Sequence, residues 1–213
     1  MQIQISAVTL DSQLQDSYNK VLLSGKNFSI PQTQFFTSFY AIAQGQTEVW
    51  IPISRALSRL KSASTTFSSD NVSDPTRFYF PDAAEYDRAV QGQLTDSTFK
   101  SQLSVGSLLF PEKSCDRIAW HFRQLELRLG LLNQTVRSTS IQPADFRRHS
   151  FIVATLLEKV VNGWGSGLNL QNGSQLRYQL GGLPANNKIS GMHICLVGSS
   201  IVEIGEKGVS WYT

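Results

Sequence analysis

The chain has 213 residues, of which 41% are hydrophobic and only 16% are charged, and its formal net charge is +3. This composition suits a packed core and one sizeable domain, which we place at residues 1–213. The small charge, without any long basic run, argues against a nucleic-acid arm or a polybasic anchor. No apolar run approaches the roughly 20 residues that span a bilayer. The sequence therefore predicts neither sequence-specific nucleic-acid binding nor membrane insertion.

The first 24 residues are interpreted as an N-terminal strand, MQIQISAVTL, followed by a lead-in segment with a helical turn around Leu14 to Leu23. The aromatic-rich stretch from Phe28 to Tyr40 is predicted to be one strand. Proline lacks the N–H that a strand ladder needs, so we expect a break in this strand at Pro31. A turn at residues 44–46 follows it.

The stretch TEVWIPISRALSRLKSASTTF, residues 47–67, changes its periodicity halfway. Its first part alternates as a strand does, and Pro52 indicates an edge position or a break. Its last part is extended and rich in Ser and Thr. We interpret the whole as a strand, a basic corner on the rim of a sandwich, and a second strand. The corner is either solvated or paired with a neighbouring subunit, which makes three residues interface candidates: Arg55, Arg59 and Lys61.

Residues 68–98 form a polar excursion that is unusually long for a connection inside a compact domain. Such segments are often functional or interface-forming. Its aromatic side chains must be buried somewhere, either as a flap on the core or against another subunit. We therefore add four of them to the interface candidates: Phe78, Tyr79, Phe80 and Tyr86.

The next segment, FKSQLSVGSLLFPEK, is predicted to be a strand that is broken at Gly106 and ends at Pro111. A helix is predicted at about residues 114–132, with Ser114 as its cap. It has an apolar stripe at spacings of three and four: Ile118, Phe122, Leu125, Leu129 and Leu132. His121 lies beside that stripe. Without a second ligand one turn away, it is a packed or surface histidine and not a metal ligand.

The remaining segments are predicted to be strands: HSFIVATLLEKV, SQLRYQLGG, GMHICLVG and SSIVEIGEKGVSWYT. The last two are expected to form a hairpin that turns near Gly198 to Ser200. A glycine-rich loop at residues 162–174 carries Trp164, which either packs over the turn or contacts a partner, and it is the last interface candidate. Six to nine strands with one main helix favour an antiparallel β-sandwich.

Catalytic and cofactor-binding motifs are absent from the sequence. The stretch NGWGSGL has Leu168 where a phosphate-cradling pattern needs glycine, and no GxSxG, HExxH or EF-hand pattern occurs. Cys115 and Cys195 have no metal-ligand spacing, so we expect two free, buried thiols and assembly in a reducing compartment. We predict no enzyme activity and no catalytic, cofactor-binding or metal-binding residue. An unrecognised enzyme would need His149 or His193 in a cleft.

Three stretches, in order, resemble the C-terminal jelly roll of double jelly-roll major capsid proteins, the class found in eukaryotic DNA viruses, virophages and Polinton-like elements. The first runs from SGKNFSIPQ to SASTTF and includes the Arg-x-x-x-Arg-Leu-Lys corner. The second is LSVGSLLFPEKSCDRIAWHFRQLELRLG. The third is SFIVATLLEKVVNGWGSGLNLQNGSQLRYQL. Together they place the resemblance over residues 20–213.

The resemblance implies an all-β, antiparallel jelly-roll β-sandwich with a structural function in a virion. It implies trimeric capsomers that tile an icosahedral shell and are assembled in the host cytoplasm or nucleus. This chain departs from the family because it has room for one sandwich where the family has two. It is then either the C-terminal half or a single jelly roll that pairs with another copy or subunit. The alternative is a lectin-like jelly roll, with three tryptophans available for stacking on sugars: Trp50, Trp164 and Trp211.

Overall fold

The structure, a computed structural model, describes residues 9, 11–43, 45–68, 99–131, 139–148, 150–158, 166–171, 175–183, 189–205 and 208–212. The chain divides into two compact units. The larger unit is Thr33–Ser199, and the smaller one combines Met1–Gln32 with Ser200–Thr213. The assignment of residues 1–213 to one jelly-roll domain stays a prediction.

The described residues contain three helices and nine strands. The helices are α1 (Ser12–Leu23), α2 (Ile118–Arg128) and α3 (Pro143–Arg148). The strands are β1 (Phe28–Ala41), β2 (Val49–Ile53), β3 (Leu60–Ser68), β4 (Lys100–Val105), β5 (Leu108–Cys115), β6 (Val153–Leu156), β7 (Leu176–Gly181), β8 (Gly191–Gly205) and β9 (Gly208–Tyr212).

The strands form two sheets. The first sheet has the order β1-β8-β3-β6, with β9 also paired to β8, and the second has the order β2-β7-β4-β5. Strands that follow one another along the chain therefore change sheets repeatedly, which is the winding of a jelly roll. The predicted antiparallel jelly-roll β-sandwich is confirmed.

The core forms because the strands alternate between apolar and polar residues. In β2 the pattern VWIPI buries the first, third and fifth residues and exposes Trp50 and Pro52. Leu103 on β4 and Leu180 on β7 are likewise fully buried, while their neighbours Gln102 and Gln179 are not. Successive side chains of a strand point to opposite sides of the sheet, so each sheet has one buried face and one outward face.

One end of the larger unit is packed with aromatic rings. Phe151 lies 5.1 Å from Phe146 and 5.9 Å from Phe99, measured between ring centroids. Phe67 of β3 and His121 of α2 pack into the same cluster, with all five side chains buried. These rings join the helical segment to the inner faces of the sheets.

The smaller unit has its own contacts. The rings of Tyr18 and Phe28 pack edge to face with their centroids 5.2 Å apart. Asn27 Nδ2 donates a hydrogen bond to Glu203 Oε2 at 3.1 Å. The predicted helical turn around Leu14 to Leu23 is confirmed as helix α1, in which no residue is fully buried.

The interpretation of residues 47–67 is confirmed. Strand β2, an irregular corner and strand β3 follow in that order. Pro52 does lie in an edge strand, because β2 is the outermost strand of the second sheet. An edge strand tolerates proline because one of its sides has no ladder to complete.

The predicted strand break at Pro31 and the predicted strand end at Pro111 are wrong for the same reason. Strand β1 continues through Pro31, and β5 continues through Pro111 as far as Cys115. Both strands lie at the edges of their sheets. The strand break predicted at Gly106 is a reversal of chain direction. Strands β4 and β5 pair as an antiparallel hairpin around this residue, and its φ is 59°. A positive φ is readily adopted by glycine.

The main helix is shorter than the predicted 114–132. It begins at Ile118 and ends at Arg128, and Arg117 occupies the N-cap position without a side-chain hydrogen bond. Ser114 is not a cap because it belongs to the extended strand β5. On the predicted stripe, Ile118 and Leu125 are buried, whereas Leu129, beyond the helix, is exposed.

The hairpin predicted near Gly198 to Ser200 is also wrong. Strand β8 runs without interruption from Gly191 to Gly205, and its hairpin with β9 closes where Gly205 pairs with Gly208. Gly198 pairs with Leu60 of β3 inside the sheet. A Cβ at this position would lie 3.5 Å from the Arg59 carbonyl oxygen and 3.7 and 3.9 Å from the Leu57 methyl carbons, which are ordinary contact distances, so Gly198 occupies a place in the sheet and not in a turn.

We predict that Leu103→Ala lowers the free energy of unfolding by about 2–5 kcal/mol, because it removes a fully buried side chain and leaves a cavity. Ser104→Ala, the neighbour on the outward face, is the matched control and should change it by less than about 0.5 kcal/mol. Urea denaturation followed by circular dichroism measures both. Equal losses in the two variants would contradict the assigned strand orientation.

Candidate functional site

The basic corner is only partly available for a partner. Arg55 is exposed, and its guanidinium carbon lies 5.3 Å from the centroid of the Phe36 ring. Arg59 is half-buried, and its carbonyl accepts a hydrogen bond from the Ser199 N–H at 3.0 Å. Lys61 Nζ lies 3.2 Å from Glu158 Oε1, so its charge is already paired within the chain.

The outward side of the first sheet carries aromatic rings without charges. On β1, Phe35 is 67% exposed and Phe39 is 57% exposed. The Phe39 ring covers Gly191, where a Cβ would overlap it, and lies 4.9 Å from the His193 ring. We call the outward residues of these strands the aromatic face: Phe35, Thr37 and Phe39 of β1, Ser64 and Thr66 of β3, and His193 and Cys195 of β8.

Strand β1 adds to this surface an unpaired edge within the described part of the chain. None of its 14 residues is charged, and it is outermost in its sheet. Exposed sheet edges without charge readily pair with other chains, and proteins normally protect them with lysine, proline or a covering segment. Pro31 is the one such residue in β1.

Arg128 marks the border of the aromatic face on the helical side. Its Nε donates a hydrogen bond to Ser62 Oγ at 3.2 Å. Partial burial of the guanidinium lowers the pKa of Arg128 from its ordinary value. The Arg128 guanidinium therefore contributes to the packing of α2 against β3.

A buried polar group links the helix to both sheets. His121 Nδ1 lies 3.5 Å from Ser101 Oγ, while its Nε2 has no hydrogen-bond partner in the described part of the chain. Burial raises the pKa of the nearby Tyr178 phenol well above its usual value, and the hydroxyls of Thr65 and Ser101 act in the opposite direction. Burial among the Phe99 and other rings lowers the pKa of His121 to about 4, although the Asp116 carboxylate acts to raise it.

The outward side of the second sheet is different in character. A cleft of about 690 Å³ is lined by charged and amide side chains: Glu48, Lys100, Gln102, Asp116, Arg117 and Gln179. Beside it, a shallower groove of about 230 Å³ runs along Trp50, Pro52 and Arg177. Trp50 is 57% exposed.

Several predicted features lie outside the described residues. The N-terminal strand and the 68–98 excursion, apart from Ser68, fall in this category, as does His149. So do five of the interface candidates: Phe78, Tyr79, Phe80, Tyr86 and Trp164. Cys115 and Cys195 are both free, as expected. Cys115 is buried, whereas Cys195 is half-buried, so the expected burial is wrong for Cys195. Burial, and then the nearby Asp116 carboxylate, raise the pKa of Cys115 to about 12.

The described residues contain neither a helix that could span a membrane nor a cluster of potential metal ligands. No helix among them is long and apolar enough to cross a bilayer. No three of their His, Cys, Asp and Glu side chains come together as a metal ion would require.

The strand order and the two outward faces define a jelly-roll sandwich of the kind used in viral shells and lectins. The sequence matches no protein-family model and no curated protein. Among solved structures, the chain is similar to a chain of the PBCV-1 virus capsid, a quasi-atomic model, with a TM-score of 0.54 and 9% identity. It is also similar to PBCV-1 VP54, whose crystal structure was fitted into a cryo-EM reconstruction of the virophage Sputnik, with a TM-score of 0.54 and 10% identity.

Each match covers 95% of this chain and 54% of the capsid chain. The resemblance to a double jelly-roll capsid protein is thus confirmed at the level of the fold. The chain spans about half the length of the capsid chains that it matches.

We predict that His121 makes the protein acid-sensitive. Its pKa is about 4 in the folded state and 6.5 in the unfolded state, so the unfolded state binds the proton more tightly. Its contribution is fully present above pH 6.5 and is lost as the pH falls from 6.5 to 4, by about 3 kcal/mol in total.

Urea unfolding at pH 7 and at pH 4 checks this prediction, with His121→Leu as the variant that cannot titrate. The wild type should lose more stability between the two pH values than the variant does. An NMR titration of His121 in the wild type gives the same answer if the variant does not fold. An imidazole pKa near 6.5 in the folded protein would contradict the prediction.

Proposed function

We propose that this chain is a structural capsid subunit that self-associates, through trimeric capsomers, into an icosahedral viral shell. The observation that carries the proposal is the jelly-roll strand order, together with a fold similar to the PBCV-1 capsid chain over 95% of the present chain. On this proposal its work is assembly and not chemistry, and its place is the virion.

The partner is a second jelly roll, either on another subunit or on another copy of this chain. The matched capsid chains have nearly twice the length covered by this one. Trimers of such pairs, built in the host cytoplasm or nucleus, are the assembly that we propose.

The aromatic face supports association because it exposes large rings on an uncharged surface. Burying apolar area is favourable by about 25 cal/mol per Å², and aromatic residues are enriched at the centres of interfaces. Phe35 makes no ring contact within the described residues that would hold it to its own chain, whereas Phe39 packs on His193. Of the two exposed rings on this face, Phe35 therefore has more to gain from a partner than Phe39.

The basic corner is placed for a role at the rim of the interface. Arg55 and Arg59 lie where the chain passes from β2 to β3, and a partner's carboxylates would find cations there. Rim charges of this kind mainly affect orientation and association rate. Lys61 is a weaker candidate because it is paired with Glu158.

We predict that the wild-type chain forms trimers or larger assemblies and that Phe35→Lys shifts them toward monomer. The added charge would have to be buried in the interface, while the fold should not change because Phe35 is 67% exposed. Light scattering coupled to size-exclusion chromatography at several concentrations measures the mass. Thermal unfolding confirms that the variant is folded.

Leu108→Lys is the matched control, since Leu108 is 55% exposed on the hairpin of the second sheet. It should leave the assembly state unchanged. A wild type that remains monomeric at high concentration would count against self-association. If both variants dissociated the assembly equally, the aromatic face would not be the interface.

We predict that Arg59→Glu weakens the assembly several-fold without changing the thermal midpoint, because it places a carboxylate where a partner's acids would lie. Arg123→Glu, on an exposed position of α2, makes the same change of charge and should have no effect. Sedimentation velocity at low and high salt compares the two. If Arg59→Glu assembled like the wild type, the basic corner would not be part of the interface.

A further inference from the structure

The second sheet presents a row of three outward side chains on adjacent strands. Trp50 of β2 pairs with Gln179 of β7, and Gln179 pairs with Gln102 of β4. Neighbouring strands lie about 4.8 Å apart, so the row extends over roughly 10 Å. Residues in one register row point to the same side of a sheet. An aromatic ring and two amides therefore lie along one line on the surface.

Two polar side chains of this surface, Gln102 and Arg177, are held in place by hydrogen bonds within the chain. Gln102 Nε2 donates to the carbonyl oxygens of Pro111 at 2.9 Å and Glu112 at 3.2 Å. These two bonds fix the position of the Gln102 Oε1. Next to the row, Arg177 Nε donates to Gln175 Oε1 at 2.8 Å. Preorganised polar groups lose less conformational entropy when a ligand binds.

The row leads directly into the cleft of about 690 Å³, which shares Gln102 and Gln179 with it. The cleft has two carboxylates, Glu48 and Asp116, and two cations, Lys100 and Arg117, among its lining residues. Equal numbers of opposite charges do not select a strongly charged ligand. They do offer many hydrogen-bond donors and acceptors, as the amides also do.

From this arrangement we propose that the outward side of the second sheet binds a neutral oligosaccharide. One pyranose ring stacks with its C–H face on the Trp50 indole, and the next unit places its hydroxyls against the amides of Gln179 and Gln102. The following unit enters the cleft. A hydroxyl both donates and accepts, and it therefore suits the Gln179 amide, which has one group of each kind. It also suits the Gln102 Oε1, which can accept while its Nε2 donates to the carbonyl oxygens of β5.

An apolar protein segment is a less suitable occupant. The row contains one aromatic residue and then only polar ones, so a hydrophobic peptide would bury amides without partners, which is unfavourable. A sugar has an apolar ring face and polar edges, and it matches both parts of the row. The proposal does not depend on the capsid role, because it uses none of the residues of the aromatic face.

The test is a titration of the full chain with neutral hexasaccharides of glucose and of N-acetylglucosamine, followed by isothermal calorimetry and by saturation-transfer NMR of the sugar protons. Sialyllactose and heparin are the acidic probes. We expect saturable binding of at least one neutral hexasaccharide, with the ring C–H protons receiving the strongest saturation. Failure of every neutral probe at millimolar concentration would overturn the proposal, as would a preference for an acidic probe that disappears in high salt.

Variants locate the site. Trp50→Ala should weaken binding roughly tenfold or more, the size of a lost aromatic contact together with its buried area. Gln179→Ala should weaken it to a smaller extent. Trp211→Ala is the matched control, since Trp211 is also exposed, at 51%, but lies on β9. Binding that is lost in Trp211→Ala and kept in Trp50→Ala would place the sugar elsewhere and refute the proposal.

If Trp50→Ala does not fold, Trp50→Phe preserves an aromatic platform and should keep part of the affinity. The mass of the assembly is measured on the same samples. Sugar binding by a chain that stays monomeric would support this proposal and refute self-association. Assembly without sugar binding would do the reverse.

Discussion

The pairing of β3 with β8 is the interaction on which the rest of the structure depends. These strands come from distant parts of the sequence, and they pair antiparallel from Leu60 to Ser68. β3 also pairs with β6, so it has a neighbour on each side. The outward row of Ser64 and Thr66 against Cys195 and His193 follows from this register, and so does the inward position of Phe67. A slip of one residue would exchange the two faces and place the aromatic cluster in solvent.

Such non-local pairing explains which features were predictable from the sequence. The alternation of β2 and the change to a corner and β3 depend on neighbours in the chain, and both predictions are confirmed. The errors occur where a partner strand decides the outcome. Pro31 looked like a break because the sequence does not reveal that β1 lies at an edge. Gly198 looks like a turn because the sequence does not reveal that it pairs with Leu60 inside the sheet.

The candidate sites follow the same rule. Phe35 and Phe39 are four residues apart on a predicted strand, so their common face could have been found from alternation alone. Which face is outward could not, because it depends on β8. The row of Trp50, Gln179 and Gln102 could not have been found at all, since three separate strands contribute one residue each and only their register brings them together.

The two sheets divide the surface into regions with different chemistry, and this has a physical consequence for assembly. An interface on the aromatic face gains free energy from burying rings, and the residues of that face include no Asp, Glu, Lys or Arg that would have to be desolvated. An interface on the second sheet would have to remove water from Glu48, Lys100 and the amides, and each unpaired group would oppose association. On the proposed capsid role, the first sheet is therefore the side that favours packing of a second sandwich, and the second sheet is the side that stays hydrated. A partner on the same polypeptide would meet the aromatic face at a high effective concentration, whereas a separate copy would meet it only as the protein concentration rises.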